Sequence, residues 1–288
     1  MRVHNRLWML TAVVTLAVLG AETCRAEDSA GETLGWIYWT HRDEGIYRAA
    51  RDGSEVKLLV AKKNVDGLAI DEETGKLYFT VSNVPDGTDS LESADLDGNN
   101  VKQLAAGLNW TGDLVLDADA GKLYVSSLGD NLIMEIGVDG TQRRNLLTGL
   151  SNPDEMAIDA KGGKIYWASS GGDGIRRADL DGSQSEAVLA APTTIFGLAI
   201  DEPNRQIYWI DSAQGAIHRV GFDGKNDTQI VGGLQAADGL ALDLDNRKLY
   251  WTETGKISQA NLDGSGVEVL VSGKTAQYAS LVLRPPKE

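Results

Sequence analysis

A single cysteine, Cys24, stands in the whole chain, and histidine is nearly as rare, with three residues among 288. Cys24 lies in an amino-terminal stretch laid out as a secretory signal: Arg2, His4 and Arg6, an apolar run from Leu7 to Leu19, then a short polar segment ending at Ala26. That run is shorter than the ~20 residues a bilayer span requires, so residues 1–26 read as a cleaved signal peptide and no transmembrane span is expected. Glu22 and Thr23, directly ahead of Cys24, do not fit a lipidation motif. Cleavage leaves residues 27–288 without a thiol, which excludes disulfides, zinc–thiolate centres and a cysteine nucleophile. The two remaining histidines, His41 and His218, cannot assemble a metal-type cluster or a serine-type triad. Basic charge is short as well: 27 Lys and Arg face 42 Asp and Glu, for a net charge of −15. Such a surface repels phosphate backbones and anionic membranes, which argues against nucleic acid as a partner. It suits cations or a basic protein surface, and it also keeps a secreted protein soluble.

What the chain has is period. The segments WIYWT, KLYFT, KLYVS, KIYWA, QIYWI and KLYWT place a tyrosine at 38, 78, 124, 166, 208 and 250. An Asp-Gly pair recurs in step, at 52, 97, 139, 181, 223 and 263. Each unit of about 42 residues reads as four short strands. The first is an apolar stretch such as LAID at 198–201, and the second is the Tyr-Trp strand, rich in aromatic and β-branched residues. The third carries Ile or Leu six residues before the Asp, and the Asp-Gly hairpin leads into the fourth. The expected fold is therefore all-β: a six-bladed β-propeller over 35–288, four antiparallel strands per blade, after a short linker at 27–34. The repeat begins on a second strand and ends on an unpartnered first strand, SLVLR at 280–284, which is expected to complete the first blade and close the ring.

The Tyr-Trp strand, the Asp-Gly hairpin and the LAID strand together resemble the YWTD propeller, the low-density-lipoprotein-receptor class B repeat. The resemblance implies six blades, and a use in protein recognition or in packing against neighbouring modules. The motif departs from the pattern in places. Its fourth position is acidic only at Asp211 and Glu253, and its Trp is replaced by Phe79 and Val125 in blades two and three, which are expected to be the least regular.

A residue that recurs in every blade is explained by the blade, so specific function is sought in the departures. The DxDG stretches at 95–98 and 179–182 lack the acid that completes a calcium loop and read as hairpin turns, as do the acids closing the first strands. His41 reads as a solvated loop residue and His218 as an exposed strand position. The links between blades and the loops after the Tyr-Trp strands share one face. There the aromatics Trp110, Phe196 and Tyr278 fall out of register with the repeat, and Asp66, Asp154 and Asp238, with Asp113 and Glu155 one position on, converge near the channel. The long loop Val81–Ser90 of blade two adds Asp86 and Asp89. Aromatic and acidic side chains together suit a protein partner with a basic surface, or a hard cation. No cofactor and no metal ligand set is implied, and no catalytic residue stands out. The leading expectation is a secreted or periplasmic, monomeric binding module. The alternatives are a metal-dependent lactonase of the gluconolactonase type, using Asp66, Asp154, Glu155 and Asp238 with Asn64 or Asn152, and a spacer in a cell-surface assembly.

Overall fold

The computed structural model describes residues 34–82, 88–169, 172–190, 194–274 and 279–284. Residues 1–26, assigned to a signal, lie outside that range, as do Asp86 and Tyr278. The described chain forms strands β1 to β24 in six four-stranded antiparallel sheets. Five blades are consecutive in sequence, with β4 (Val65–Asp71), β8 (Thr111–Asp117), β12 (Pro153–Asp159), β16 (Ile195–Asp201) and β20 (Ala237–Asp243) as their innermost strands. The remaining blade joins the ends of the chain: β24 (Leu281–Arg284) pairs antiparallel with β1 (Trp36–His41), with Trp39 opposite Leu281 and Trp36 opposite Arg284. Ring closure and six blades are as the repeat predicts.

The signature residues work between blades. Trp39, Trp167 and Trp251 are fully buried, and the Tyr38 and Tyr208 hydroxyls donate to the Leu96 and Leu262 carbonyls of the next blade. Each Asp of an Asp-Gly pair caps its own turn, as Asp97 accepts from Asn99 N and Asp181 from Ser183 N. Each following Gly has φ between 72° and 90° and lies against a carbonyl of the preceding blade's outermost strand. A Cβ on Gly264 would sit 1.9 Å from the Ile230 oxygen, and one on Gly98 2.4 Å from Leu59 O. Turn geometry and blade packing therefore both demand glycine there.

Three readings from sequence are corrected. Blade three keeps the same register shifts as blades four and six, so Val125 costs it no regularity. Blade two does carry an extra shift, between its outer strands β6 (Asp89–Asp95) and β7 (Lys102–Leu108). His41 ends strand β1 and is half-buried, with its ring 6.2 Å from Tyr47. His218 is buried at 7% exposure, against Trp209 at 4.6 Å, with Nδ1 3.2 Å from Asp227. Its position varies between blades, yet it is buried at Tyr47, Glu92, Met134 and Ser258 and half-buried at Arg176, because its register partner is the second-strand Trp or its replacement. Variability there reflects different packing partners, not exposure.

Candidate functional site

The innermost strands carry a bulge at the channel mouth. Pairing with the second strand skips from Val65 to Leu68, Thr111 to Leu114, Pro153 to Met156 and Ala237 to Leu240. Two residues per blade are thereby released from the ladder, which turns their side chains and N–H groups elsewhere. These are the positions of Asp66, Asp113, Asp154, Glu155 and Asp238. The hydroxyl in the third place of the Tyr-Trp-Thr signature takes up the freed backbone. Thr80 Oγ1 accepts from Gly67 N and donates to Gly112 O in the next blade, and Ser126 Oγ accepts from Asp113 N and donates to Asp154 O. Thr252 does the same for Gly239 N and Ala279 O. Where Ile210 replaces this hydroxyl, the Gly197 N–H is received by the Glu155 carboxylate of the preceding blade. Asp113 accepts from Met156 N at 3.0 Å and Asp238 from Ala279 N at 2.6 Å, again across a blade boundary. Three of the five acids thus fasten adjacent inner strands.

All five line one cavity of about 430 Å³ at the mouth, together with Trp110, Phe196, Leu128 and Arg42. Residues after the second strands (Arg42, Leu128) and in the blade links (Trp110, Thr194) meet there, which places both loop sets on one face. Trp110 is 51% exposed and holds φ at 46°. Phe196 is in register with Asp66, Asp154 and Asp238, at the position they hold in their own blades, and not out of register as the sequence suggested. Asp89 opens β6 and is buried, its carboxylate accepting from Thr111 N at 2.7 Å, so it anchors the next blade instead of presenting a surface. Asn64 and Asn152 precede β4 and β12 with positive φ and do not line the cavity.

Crowding raises the carboxyls. Burial pushes Asp66 up to about 7, with Arg42 opposing and Asp89 and Asp154 adding to the rise. Burial likewise carries Asp113 and Asp238 to about 7 and Asp154 to about 6. Glu155 is held well above the ordinary range by burial and by the neighbouring Asp113, Asp238 and Asp154. Among the described residues, no group of three His, Cys, Asp or Glu side chains is arranged to hold a metal ion. No described helix is long and apolar enough to cross a membrane.

The low-density lipoprotein receptor repeat class B profile matches residues 205–244, spanning the second strand of blade five through the first strand of blade six. No curated protein matches the sequence. Among solved structures, a chain of a nidogen/laminin complex superposes with a TM-score of 0.74 at 20% identity, covering 85% of this chain and 97% of that one. TolB from Acinetobacter baumannii gives 0.70 at 13% identity, covering 88% and 67%, and a putative TolB from Agrobacterium tumefaciens gives 0.66 at 14%, covering 88% and 98%. At such identities these likenesses speak to fold. They show the fold of a six-bladed β-propeller, and the repeat matched in residues 205–244 is of the low-density lipoprotein receptor class B, or YWTD, type.

Proposed function

We propose that the protein is a non-catalytic binding module, exported to the periplasm or cell exterior, that recognises a protein partner with a basic surface through the channel-mouth face. One observation carries the reading: a half-exposed tryptophan, Trp110, stands at the rim of a cavity where five carboxyl groups converge. An aromatic rim around an anionic centre supplies contact area and charge selectivity, the combination on which interface hot spots rest. The signal-like amino terminus supports export. The fold neighbour from a nidogen/laminin complex comes from a protein assembly, which accords with a recognition role. Binding in this reading involves a single copy of the chain and no nucleic acid.

The test compares residues 27–288 with the double variant Trp110→Ala, Phe196→Ala in affinity capture from the native extracellular or periplasmic fraction. The partner retained by the wild type is expected to bind the variant at least ~tenfold more weakly, as loss of a central aromatic anchor implies. Equal retention by a correctly folded variant overturns the assignment of this face.

A further inference from the structure

Below the mouth the channel continues as a second cavity of about 270 Å³, lined by Leu114, Leu198, Leu240 and Leu281 of four inner strands. The two cavities share Asp113, Glu155 and Ser280. The acids therefore form a collar at the aromatic mouth, with Asp113 and Glu155 at its junction with an apolar shaft. The collar is not uniform. Asp113, Glu155 and Asp238 are engaged by N–H groups of the next blade. Asp154 accepts no hydrogen bond from any described residue, and it is half-buried where it lines the cavity. Its Oδ1 leans into room left by Gly112, where a Cβ would come within 2.8 Å of it. Asp66 accepts none from the described residues either, and Arg42 is the cation nearby.

A carboxylate partly withdrawn from water and without a donor is costly, and a cation delivered to it offsets that cost. A hard divalent ion needs about six oxygen ligands, and the described residues offer no such grouping. An ammonium or guanidinium group needs only one or two carboxylates, and it gains further from aromatic faces such as Trp110. The shaft, in turn, suits an apolar stem and nothing charged.

We propose that the channel is a binding site for an organic cation carried on an apolar stem, its charge held by Asp154 and Asp66 and its stem lodged in the leucine-lined shaft. The site stands on the collar and shaft alone, and holds whether or not the outer face engages a protein. Free amines and the lysine or arginine side chains of a partner share this chemistry.

Calorimetric titration of residues 27–288 with hexylammonium, with neutral hexanol, and with an acetylated, amidated arginine peptide tests it. Hexylammonium or the peptide is expected to bind at least ~tenfold more tightly than hexanol, and the stronger of the two identifies a free amine or a side chain as the source. Asp154→Asn and the double variant Asp66→Asn, Asp154→Asn are expected to weaken that binding by ~tenfold and more, with melting curves confirming the fold. Failure of both cations to bind, equal binding of hexanol, or undiminished binding by a folded Asp154→Asn variant overturns the proposal. If the variants do not fold, the wild-type comparison of hexylammonium and the peptide with hexanol decides it.

Discussion

At the scale of single residues, the hydroxyl of the Tyr-Trp-Thr signature satisfies an N–H that the inner-strand bulge strips of its ladder partner. Thr80 is fully buried and bonded on both sides of a blade boundary. Thr80→Val keeps the shape and leaves Gly67 N–H and Gly112 C=O unpaired, so a loss of about 1–3 kcal/mol in denaturant unfolding is expected. The collar acids act in the opposite sense. Asp154 titrates near 6 in the folded chain, above the ~3.9 of a free aspartate. Its raised value means the fold prefers the protonated form. That contribution is complete below about pH 4 and lost as pH rises through about 6. Asp154→Asn cannot lose it. Relative to wild type, the variant is expected to gain up to about 2 kcal/mol between pH 4 and pH 8, read from melting at both pH values. A difference independent of pH would show that the carboxyl is ionised throughout.

The elements are strands whose spacing is set by glycine. In blade two Gly67 lets β4 approach β8, since a Cβ there would lie 2.7 Å from Leu114 N, and Gly239 does the same for β20 against Ala279 O at 2.2 Å. Blades three and four place Asp113 and Glu155 at that position instead, and those acids reach across to the neighbouring strand. Inner strands are thus joined by close contact, by a carboxylate or, at Asp238-Gly239, by both. The Asp-Gly hairpins repeat the device at the outer strands. Gly264→Ala would combine φ of 86° with a 1.9 Å approach to Ile230 O. It is expected to cost about 2 kcal/mol or more in urea unfolding, whereas Gly255→Ala, with φ of 84° and open space around it, should cost about 1. Equal losses would mean that backbone angle alone governs these turns.

Over the whole molecule, stability rests on closing the ring. The seam between blades six and one is crossed by Trp39 Nε1 donating to Lys274 O at 2.7 Å, by Gly239 N donating to Ala279 O, and by the buried Arg51–Asp243 ion pair. Deleting residues 276–288 removes the partner of β1 and exposes its edge. The truncated chain is expected to melt at least ~10 °C lower and to self-associate in light scattering, since an open ring presents a bare strand edge. Unchanged melting would show that the last strand is dispensable. Arg51→Met, by stranding the buried Asp243, is expected to cost about 3–5 kcal/mol.

The chain itself determined the blade count, the strand order and the closure, because period, aromatic strands and Asp-Gly turns are local patterns that reappear six times. It also pointed to Asp66, Asp154 and Asp238, since residues that break a repeat stand out against it. Only the folded ring decided which of these acids are already engaged. Asp113, Glu155 and Asp238 meet N–H groups more than 40 residues away, a contact created by the bulge and by the neighbouring blade. The anchoring of Asp89 on Thr111 N was hidden for the same reason, whereas His218 is buried within its own blade, against Trp209 and Asp227. A repeat pattern records what each blade requires of itself, while the partner lying across a blade boundary exists only once the sheets have packed.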